Sequence, residues 1–355
     1  MQTICVLFGG VSPEHNISLR SAEAVLRNMK TDNRNILPVG ITKTGQWLLF
    51  GGDDYAMLGN GTWVAHPNNR RAFLSPVRGM GLCILDADNQ METVPVDVIF
   101  PVLHGENGED GTIQGLFALA GIPYVGCGVL ASAAAMDKSA TKMIAASTGV
   151  RQADCLLLRR FEYAENADAV CKSVTEKLHF PVFIKPCSTG SSVGVSKATN
   201  DAELRDALAN AFRFDEKVLA EAFINGKEVE VAVLGNRNPI AATPGEIDTG
   251  AEFYDFETKY VTSTSTPYIP ARIPEDTLHA VQEWAVKIYR ALGCRGLSRV
   301  DFFVTRDTGE IVFNEINTLP GFTSISMYPK MFAADGTHFS ALIDKLIALA
   351  LEERA

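Results

Sequence analysis

Ser298-Arg299-Val300-Asp301-Phe302-Phe303, then Asp307-Thr308-Gly309, then Phe313-Asn314-Glu315-Ile316-Asn317, form the most informative stretch of this chain. Two apolar-rich runs, Leu297–Thr305 and Ile311–Asn317, flank a turn signal and predict a β-hairpin. A three-residue loop at Asp307-Thr308-Gly309, with glycine in the left-handed position, is a favoured connection. Strand side chains alternate, so that register sets Asp301 opposite Glu315 and Arg299 opposite Asn317 on one face. Two opposed carboxylates, roughly 5 Å apart at Cβ, repel unless a cation lies between them. Oxygen donors without His or Cys suit Mg²⁺, which binds one or two carboxylates together with nucleotide phosphates. The plainer alternative is a solvated hairpin face whose charges balance through Arg299.

The rest of the chain sets the context for that hairpin. At 355 residues it is too long for one ordinary core, and two or three domains are expected. With 46% hydrophobic and 21% charged residues it reads as a globular enzyme. A net charge of −10 disfavours nucleic acid or an anionic membrane surface as partner, since both require a basic face. No run reaches the ~18 apolar residues of a membrane span. The opening Met1-Gln2-Thr3-Ile4-Cys5-Val6-Leu7-Phe8-Gly9-Gly10 has no basic leader and reads as a first strand rather than a signal peptide. The seven cysteines are scattered without CxxC spacing, which predicts neither a disulfide framework nor a zinc site and suits a reducing cytoplasm.

The first third alternates strand and helix, with strands expected at residues 3–8, 35–42 and 96–104. Leu19, Ala22, Leu26 and Met29 mark one face of a helix. An open α/β domain follows from that pattern. The middle segment carries a helix from Asp137 stopped near Gly149, a strand at 181–186, a Gly/Ser loop, and a helix capped by Asn200 with Glu203. Asn225-Gly226 separates two further strands and marks a boundary. Leu278, Val281, Ala285, Ile288 and Leu292 define a late amphipathic helix stopped at Gly293. The expected domains are 1–127, 128–223 and 224–355.

Directly after the hairpin runs Asn317-Thr318-Leu319-Pro320-Gly321-Phe322-Thr323-Ser324-Ile325-Ser326-Met327-Tyr328-Pro329. With the hairpin it resembles the C-terminal signature of the D-alanine–D-alanine ligases, members of the ATP-grasp superfamily. Five further blocks are similar to that family's and stand in its order: Phe8 to Leu19, His104 to Gly111, Met136-Asp137-Lys138, Lys185-Pro186 with Gly190 to Gly194, and Phe253 to Tyr260. Together they cover nearly the whole chain. The resemblance implies a three-domain ATP-grasp architecture, α/β and α+β, with an open α/β domain first. It implies ATP as a substrate, Mg²⁺ (two ions, with Mn²⁺ able to substitute), D-alanine, a homodimer, and a role in peptidoglycan precursor synthesis. ATP phosphorylates the carboxylate of one D-alanine, and the amine of a second displaces phosphate. A carboxylate is a poor electrophile, and conversion to an acyl phosphate divides one hard step into two easier ones.

Residue by residue, the resemblance gives Asp301, Glu315 and Asn317 the metal, and Lys138, Lys185, Ser192 and Lys259 the phosphates. Lys185 ends an apolar strand, where a surface lysine is out of pattern. Lys138 stands at a helix start, where a cation opposes the helix dipole. The loop from Ser188 to Gly194 can offer backbone N–H groups to phosphate, though it is no GxxxxGK[ST] loop. Glu221, Phe223, Ile224 and Glu228 correspond to the adenine and ribose site. Glu14 corresponds to the residue holding the first ammonium, Ser191 links Glu14 to Tyr260, and His104 lies near the first substrate. Arg299 and the N–H of Gly321 polarise the reacting carbonyl. Ser326 and Met327 meet the second carboxylate. Each position also has an ordinary structural reading, such as an acid in a helix's first turn for Glu14 or a satisfied core histidine for His104.

Two positions depart from a common family pattern: Ala222 replaces a lysine and Ile325 a histidine. Tyr260 and Met327 favour D-alanine as second substrate over D-serine, and over D-lactate still more. A non-catalytic nucleotide-binding relative is the other alternative. A dinucleotide oxidoreductase is disfavoured, because Gly9-Gly10-Val11-Ser12 breaks GxGxxG. The Ser/Thr-rich stretch 250–270 is expected to act as a lid carrying Lys259 and Tyr260.

Overall fold

The computed structural model describes residues 1–248, 266–323 and 325–352. Lys259, Tyr260 and almost all of the expected lid fall outside them.

Three sheets form in separate domains. The first contains β1 (Gln2–Gly9), β2 (Arg34–Ile41), β3 (Trp47–Leu49), β4 (Arg70–Leu74), β5 (Leu82–Leu85), β6 (Met91–Val94) and β7 (Val98–Leu103), in the order β6-β5-β4-β3-β2-β1-β7. Only β1 pairs in parallel, with β2 and β7, and β2 to β6 continue as an antiparallel ribbon. β1 is apolar on both faces because both are covered. Ile4, Val6 and Phe8 join one core, while Cys5 and Leu7 join another with Phe117. The first core also takes Leu342, Ile343, Leu346 and Ile347 from the C-terminal helix Phe339–Leu351. The chain's end therefore closes on its beginning, and Asp344 salt-bridges Lys30 and Arg34, each at 2.6 Å.

The second sheet, β8 (Cys155–Arg159), β9 (Val182–Pro186), β10 (Ser196–Ala198) and β11 (Lys217–Ala222), runs β10-β9-β11-β8. The third contains β12 (Gly226–Leu234), β13 (Ile240–Ala241), β14 (Gly245–Asp248), β15 (Thr266–Tyr268), β16 (Leu297–Thr305) and β17 (Ile311–Asn317). Its order is β15-β14-β12-β16-β17, with β13 beside β12. β11 and β12 flank Asn225 but lie in different sheets, so that break is a crossing between domains. Asn200 caps its helix as expected, accepting from Glu203 N–H at 3.0 Å, but Glu203 reaches back to Thr199 N–H at 2.7 Å.

The hairpin has the expected strands and a different turn. Thr305 N–H donates to the Glu310 carbonyl and Gly309 N–H to the Thr305 carbonyl, each at 3.0 Å, so residues 306–309 make a longer loop. The Thr305 hydroxyl supports it, accepting from Glu310 N–H at 2.9 Å. Val304 consequently faces Ile311, one residue off the expected register. A bulge between Asp301 and Phe302, with Asn314 as the extra residue, restores the pairing to Asp301–Glu315 and Arg299–Asn317. Behind it Phe302 and Phe313, both fully buried, pack edge-on at 6.0 Å.

Candidate active site

A cleft of about 1610 Å³ opens where the three domains meet. Its wall includes Glu14, His104, Lys138, Lys185, Ser191, Ser192, Glu221, Phe223, Ile224, Glu228, Arg299, Glu315, Asn317, Gly321, Ser326 and Met327. All described candidates except Asp301 line this one cavity.

At one end Glu14 stands at the N-cap of the helix His15–Asn28. The Ser191 hydroxyl hydrogen-bonds its Oε1, joining the first and second domains. Two glycines make room for the carboxylate. A Cβ at Gly105 would lie 2.4 Å from Glu14 Oε2, and one at Gly190 2.8 Å from it. Ser191 and Ser192 hold φ of 49° and 58°, a left-handed turn that costs non-glycine residues of order 1–3 kcal/mol each and is typical of functional loops. His104 sits just past β7. Its Nδ1 faces the Leu319 carbonyl at 3.1 Å and must carry the proton, which leaves Nε2 to accept from Ser21 Oγ at 3.2 Å. Burial holds His104 below the usual imidazole range against the pull of Glu14. Burial, reinforced by Glu14, pushes the Glu109 carboxyl up to about 8, although Gly105 and Leu319 N–H groups donate to it.

At the other end Lys138 opens the helix Lys138–Ala146, whose cap Asp137 accepts from the N–H groups of Ser139 and Ala140. Lys138 Nζ donates to the Thr189 carbonyl at 2.6 Å, which ties the helix start to the Gly/Ser loop. Burial holds this ammonium below its ordinary value, Glu315 opposing and Lys185 reinforcing. Lys185 and Lys142 both pair with Glu221, the latter at 2.5 Å. Burial alone would raise the Glu221 carboxyl, and the two ammonium groups override it to hold the value at about 2. Burial likewise works against Lys185, and Glu221 keeps it above its ordinary value. The Glu221 side chain is thus turned to lysines. Phe183 and Phe223 lie beside it with ring centroids 6.1 Å apart and planes tilted by 35°, and Lys197 is 4.9 Å over the Phe223 ring.

Along the floor three carboxylates stand in one row across the sheet, Glu230 on β12, Asp301 on β16 and Glu315 on β17. Arg299, one row away, holds Asp301 with two bonds at 2.8 and 2.7 Å and approaches Glu230 at 3.3 Å. Arg299 therefore supplies the cation that the opposed carboxylates require. Burial works against its charge, but Asp301 and Glu230 hold the guanidinium far above its ordinary value. Asp301 is 2% exposed and lies behind Arg299, whereas Glu315, Asn317 and Asn314 face the cleft. No cluster of three His, Cys, Asp or Glu side chains suited to a metal occurs among the described residues. One carboxylate and one amide oxygen fit Mg²⁺ when phosphates complete its shell. Ser326 Oγ accepts from Thr323 N–H at 3.0 Å and closes the turn beneath Gly321. Met327 is buried against Gly245, where a Cβ would lie 2.1 Å from its Cε.

Residues 3–127 match the model for the D-ala D-ala ligase N-terminus, and residues 144–348 that for the C-terminus. The chain belongs to the D-alanine–D-alanine ligase family. It is 49% identical to the D-alanine–D-alanine ligase of Acetivibrio thermocellus, covering 98% of this chain and 96% of that protein. It is 45% identical to that of Caldicellulosiruptor bescii, covering 99% and 95%. Among solved structures, the VanG D-Ala:D-Ser ligase from Enterococcus faecalis superposes with TM-score 0.89 at 43% identity, covering 98% and 99%. The D-alanine–D-alanine ligase from Coxiella burnetii superposes with TM-score 0.85 at 33% identity, covering 99% and 96%.

Glu230 and Asn314 on the ligase cleft's wall, and Lys142 buried behind it on Glu221, have no assignment in the sequence pattern. Lys142 lies one turn beyond Lys138 on the same helix face, a spacing that could have revealed it. Glu230 interrupts the apolar run Val229-Glu230-Val231, the same out-of-pattern signal that marks Lys185. Asn314 had no signal, since its exposure to the cleft depends on the bulge. No helix among the described residues is long and apolar enough to cross a membrane.

Proposed function

We propose that this ligase joins two D-alanine molecules at the expense of ATP, yielding D-alanyl-D-alanine, ADP and phosphate, for peptidoglycan precursors in the cytoplasm. The observation that carries the reading is the Glu14–Ser191 hydrogen bond, made in the same cleft as Lys138, Lys185, Arg299, Glu315 and Asn317. Glu14 receives the ammonium of the first D-alanine and orients its carboxylate. Phe183, Phe223 and Ile224 offer apolar surface to adenine, Glu228 meets the ribose, and Lys138, Lys185, Ser192 and Lys259 meet the phosphates. Glu315 and Asn317 hold Mg²⁺, with Asp301 reached only if Arg299 gives it up. Mg²⁺ bound there would supply positive charge to the phosphates. Attack of the first carboxylate on the γ-phosphorus gives an acyl phosphate and ADP. Arg299 and the Gly321 N–H then stabilise the oxyanion formed when the second amine attacks, and phosphate leaves. Ser326 and Met327 border the second substrate, and Tyr260 completes the Glu14–Ser191 contact. The domains extend over 1–127, 128–223 and 224–355, and the chain works as a homodimer.

The likeness to a D-Ala:D-Ser ligase supports a second reading, with D-serine as acceptor. An apolar wall at Met327 discriminates weakly against one added hydroxyl. Phosphate release with ATP and Mg²⁺, followed by product chromatography, separates these readings. D-alanine alone should support turnover and give the dipeptide. Absence of D-alanine-dependent phosphate release overturns the proposal, and turnover that requires added D-serine favours the second reading.

A further inference from the structure

The loop that bears Gly321 is gripped from the N-terminal domain by Ser21, His104 and Glu109, side chains to which the reaction above gives no task. Leu319, two residues before Gly321, has both backbone polar groups held from that side. Its N–H donates to Glu109 Oε1 at 3.3 Å and its carbonyl accepts from His104 Nδ1 at 3.1 Å. The same N–H is shared with Asn317 Oδ1 at 3.1 Å. The other Glu109 oxygen accepts from Gly105 N–H at 2.7 Å, so one carboxyl bridges the end of β7 and the loop. Beyond Gly321, Phe322 N–H reaches Ser21 Oγ at 3.5 Å, and that hydroxyl also meets His104 Nε2. Ser21, His104 and Glu109 are all buried, and the Phe322 ring packs against Phe100 at 6.3 Å.

We infer that Glu109 and Ser21 are positioning residues that fix the loop 319–322, and with it the Gly321 N–H, from the opposite domain. The inference rests on the ligase reading for the task of Gly321. An oxyanion donor acts only when fixed within about 2.7–3.1 Å of the developing charge, and removing one costs about 10²–10³ in kcat. Neither Glu109 nor Ser21 touches the reacting atoms in this account. Charged or protonated, a carboxyl keeps an oxygen lone pair toward each N–H, whereas an amide of the same size accepts at one and turns N–H₂ toward the other N–H. Glu109→Gln therefore breaks one grip with almost no change of volume. Ser21→Ala removes the contact on the far side of Gly321.

Hydrogen exchange of the ligand-free chain and steady-state turnover test the grip together. In both variants the amides of Leu319, Gly321 and Phe322 should exchange faster. Turnover should fall about tenfold or more while KM for ATP stays within about twofold, the split expected when stabilisation is lost only in the transition state. The double variant should fall little below the worse single one, because both act through one loop. Unchanged exchange with kcat within ~twofold of wild type overturns the inference, as does a loss confined to melting temperature. If Glu109→Gln does not fold, Ser21→Ala decides alone. A wild-type chain without D-alanine-dependent turnover sinks the ligase reading and the task of Gly321 with it, whereas active wild type with unaltered variants sinks only the grip.

Discussion

Glu221→Gln offers the most quantitative test of the cleft, because the replacement keeps the shape and removes one buried charge. Glu221 is 5% exposed at its side chain, between Lys142 at 9% and Lys185 at 16%. The fold holds its carboxyl at about 2, against an ordinary 4.5. At 1.36 kcal/mol per pH unit that is about 3 kcal/mol in favour of the charged form. Breaking a buried pair by removing one partner costs about 3–5 kcal/mol, the same range. We expect a loss near 3 kcal/mol at pH 7, or roughly 6–12 °C in melting temperature at ~2–4 °C per kcal/mol. A carboxyl depressed by the fold contributes fully above the unfolded value and loses that contribution as pH falls toward about 2. The gap between wild type and variant should therefore shrink by about 1 kcal/mol at pH 4. Adding Lys142→Met to Glu221→Gln should recover part of the loss, since one of two uncompensated ammonium groups goes. Thermal and urea melts of the ligand-free proteins at pH 7 and pH 4 provide the comparison. A Glu221→Gln variant melting within ~2 °C of wild type at pH 7, or a gap that widens at pH 4, refutes the reasoning.

Glu315→Gln should leave the melting temperature nearly unchanged and almost abolish turnover. Retention of more than about a tenth at saturating Mg²⁺, or ~1.4 kcal/mol of barrier, removes Glu315 from the metal site. Gly245→Ala should fold, because its Cβ clashes with the flexible end of Met327 at 2.1 Å and otherwise meets side chains, Ile269 at 3.3 Å and Met331 at 3.6 Å. The displaced Met327 should raise KM for the second amino acid more than KM for ATP, and an equal change in both would detach Met327 from that subsite. Ser191→Ala removes the hydroxyl on Glu14 and should raise KM for the first D-alanine severalfold. An unchanged value in initial-rate kinetics would show that the Glu14–Ser191 bond does not shape that subsite.

What could be read from the sequence was local and periodic. Strand alternation put Arg299 with Asp301 and Glu315 with Asn317, but their pairing across the hairpin is reached only because the bulge offsets the longer turn, and cap chemistry placed the helix start at Asn200. The longer turn was hidden because it depends on the Thr305 hydroxyl, which no pattern of apolar residues reports. The ribbon β3 to β6 was hidden as well. Its short strands, such as Arg70–Leu74 and Met91–Val94, carry charge and exposure where a buried strand would be apolar. No local pattern signals that Leu342 and Leu346 on the last helix complete the core of Ile4 and Val6, since such pairing spans the whole chain. Charge partners are the deepest of these non-local facts, and they give the cleft its polarity. Among the groups described above, Lys138, Lys142 and Lys185 gather around one carboxylate, Glu221, while Glu230, Asp301 and Glu315 gather around one guanidinium, Arg299. An acidic chain thereby sets a lysine-rich group and a carboxylate-rich group side by side, with Glu315 also acting on Lys138 and Lys185. In the proposed reaction a polyphosphate is drawn to Lys138 and Lys185 and a divalent cation to Glu315 and Asn317, which sets the transferred phosphoryl group beside Arg299.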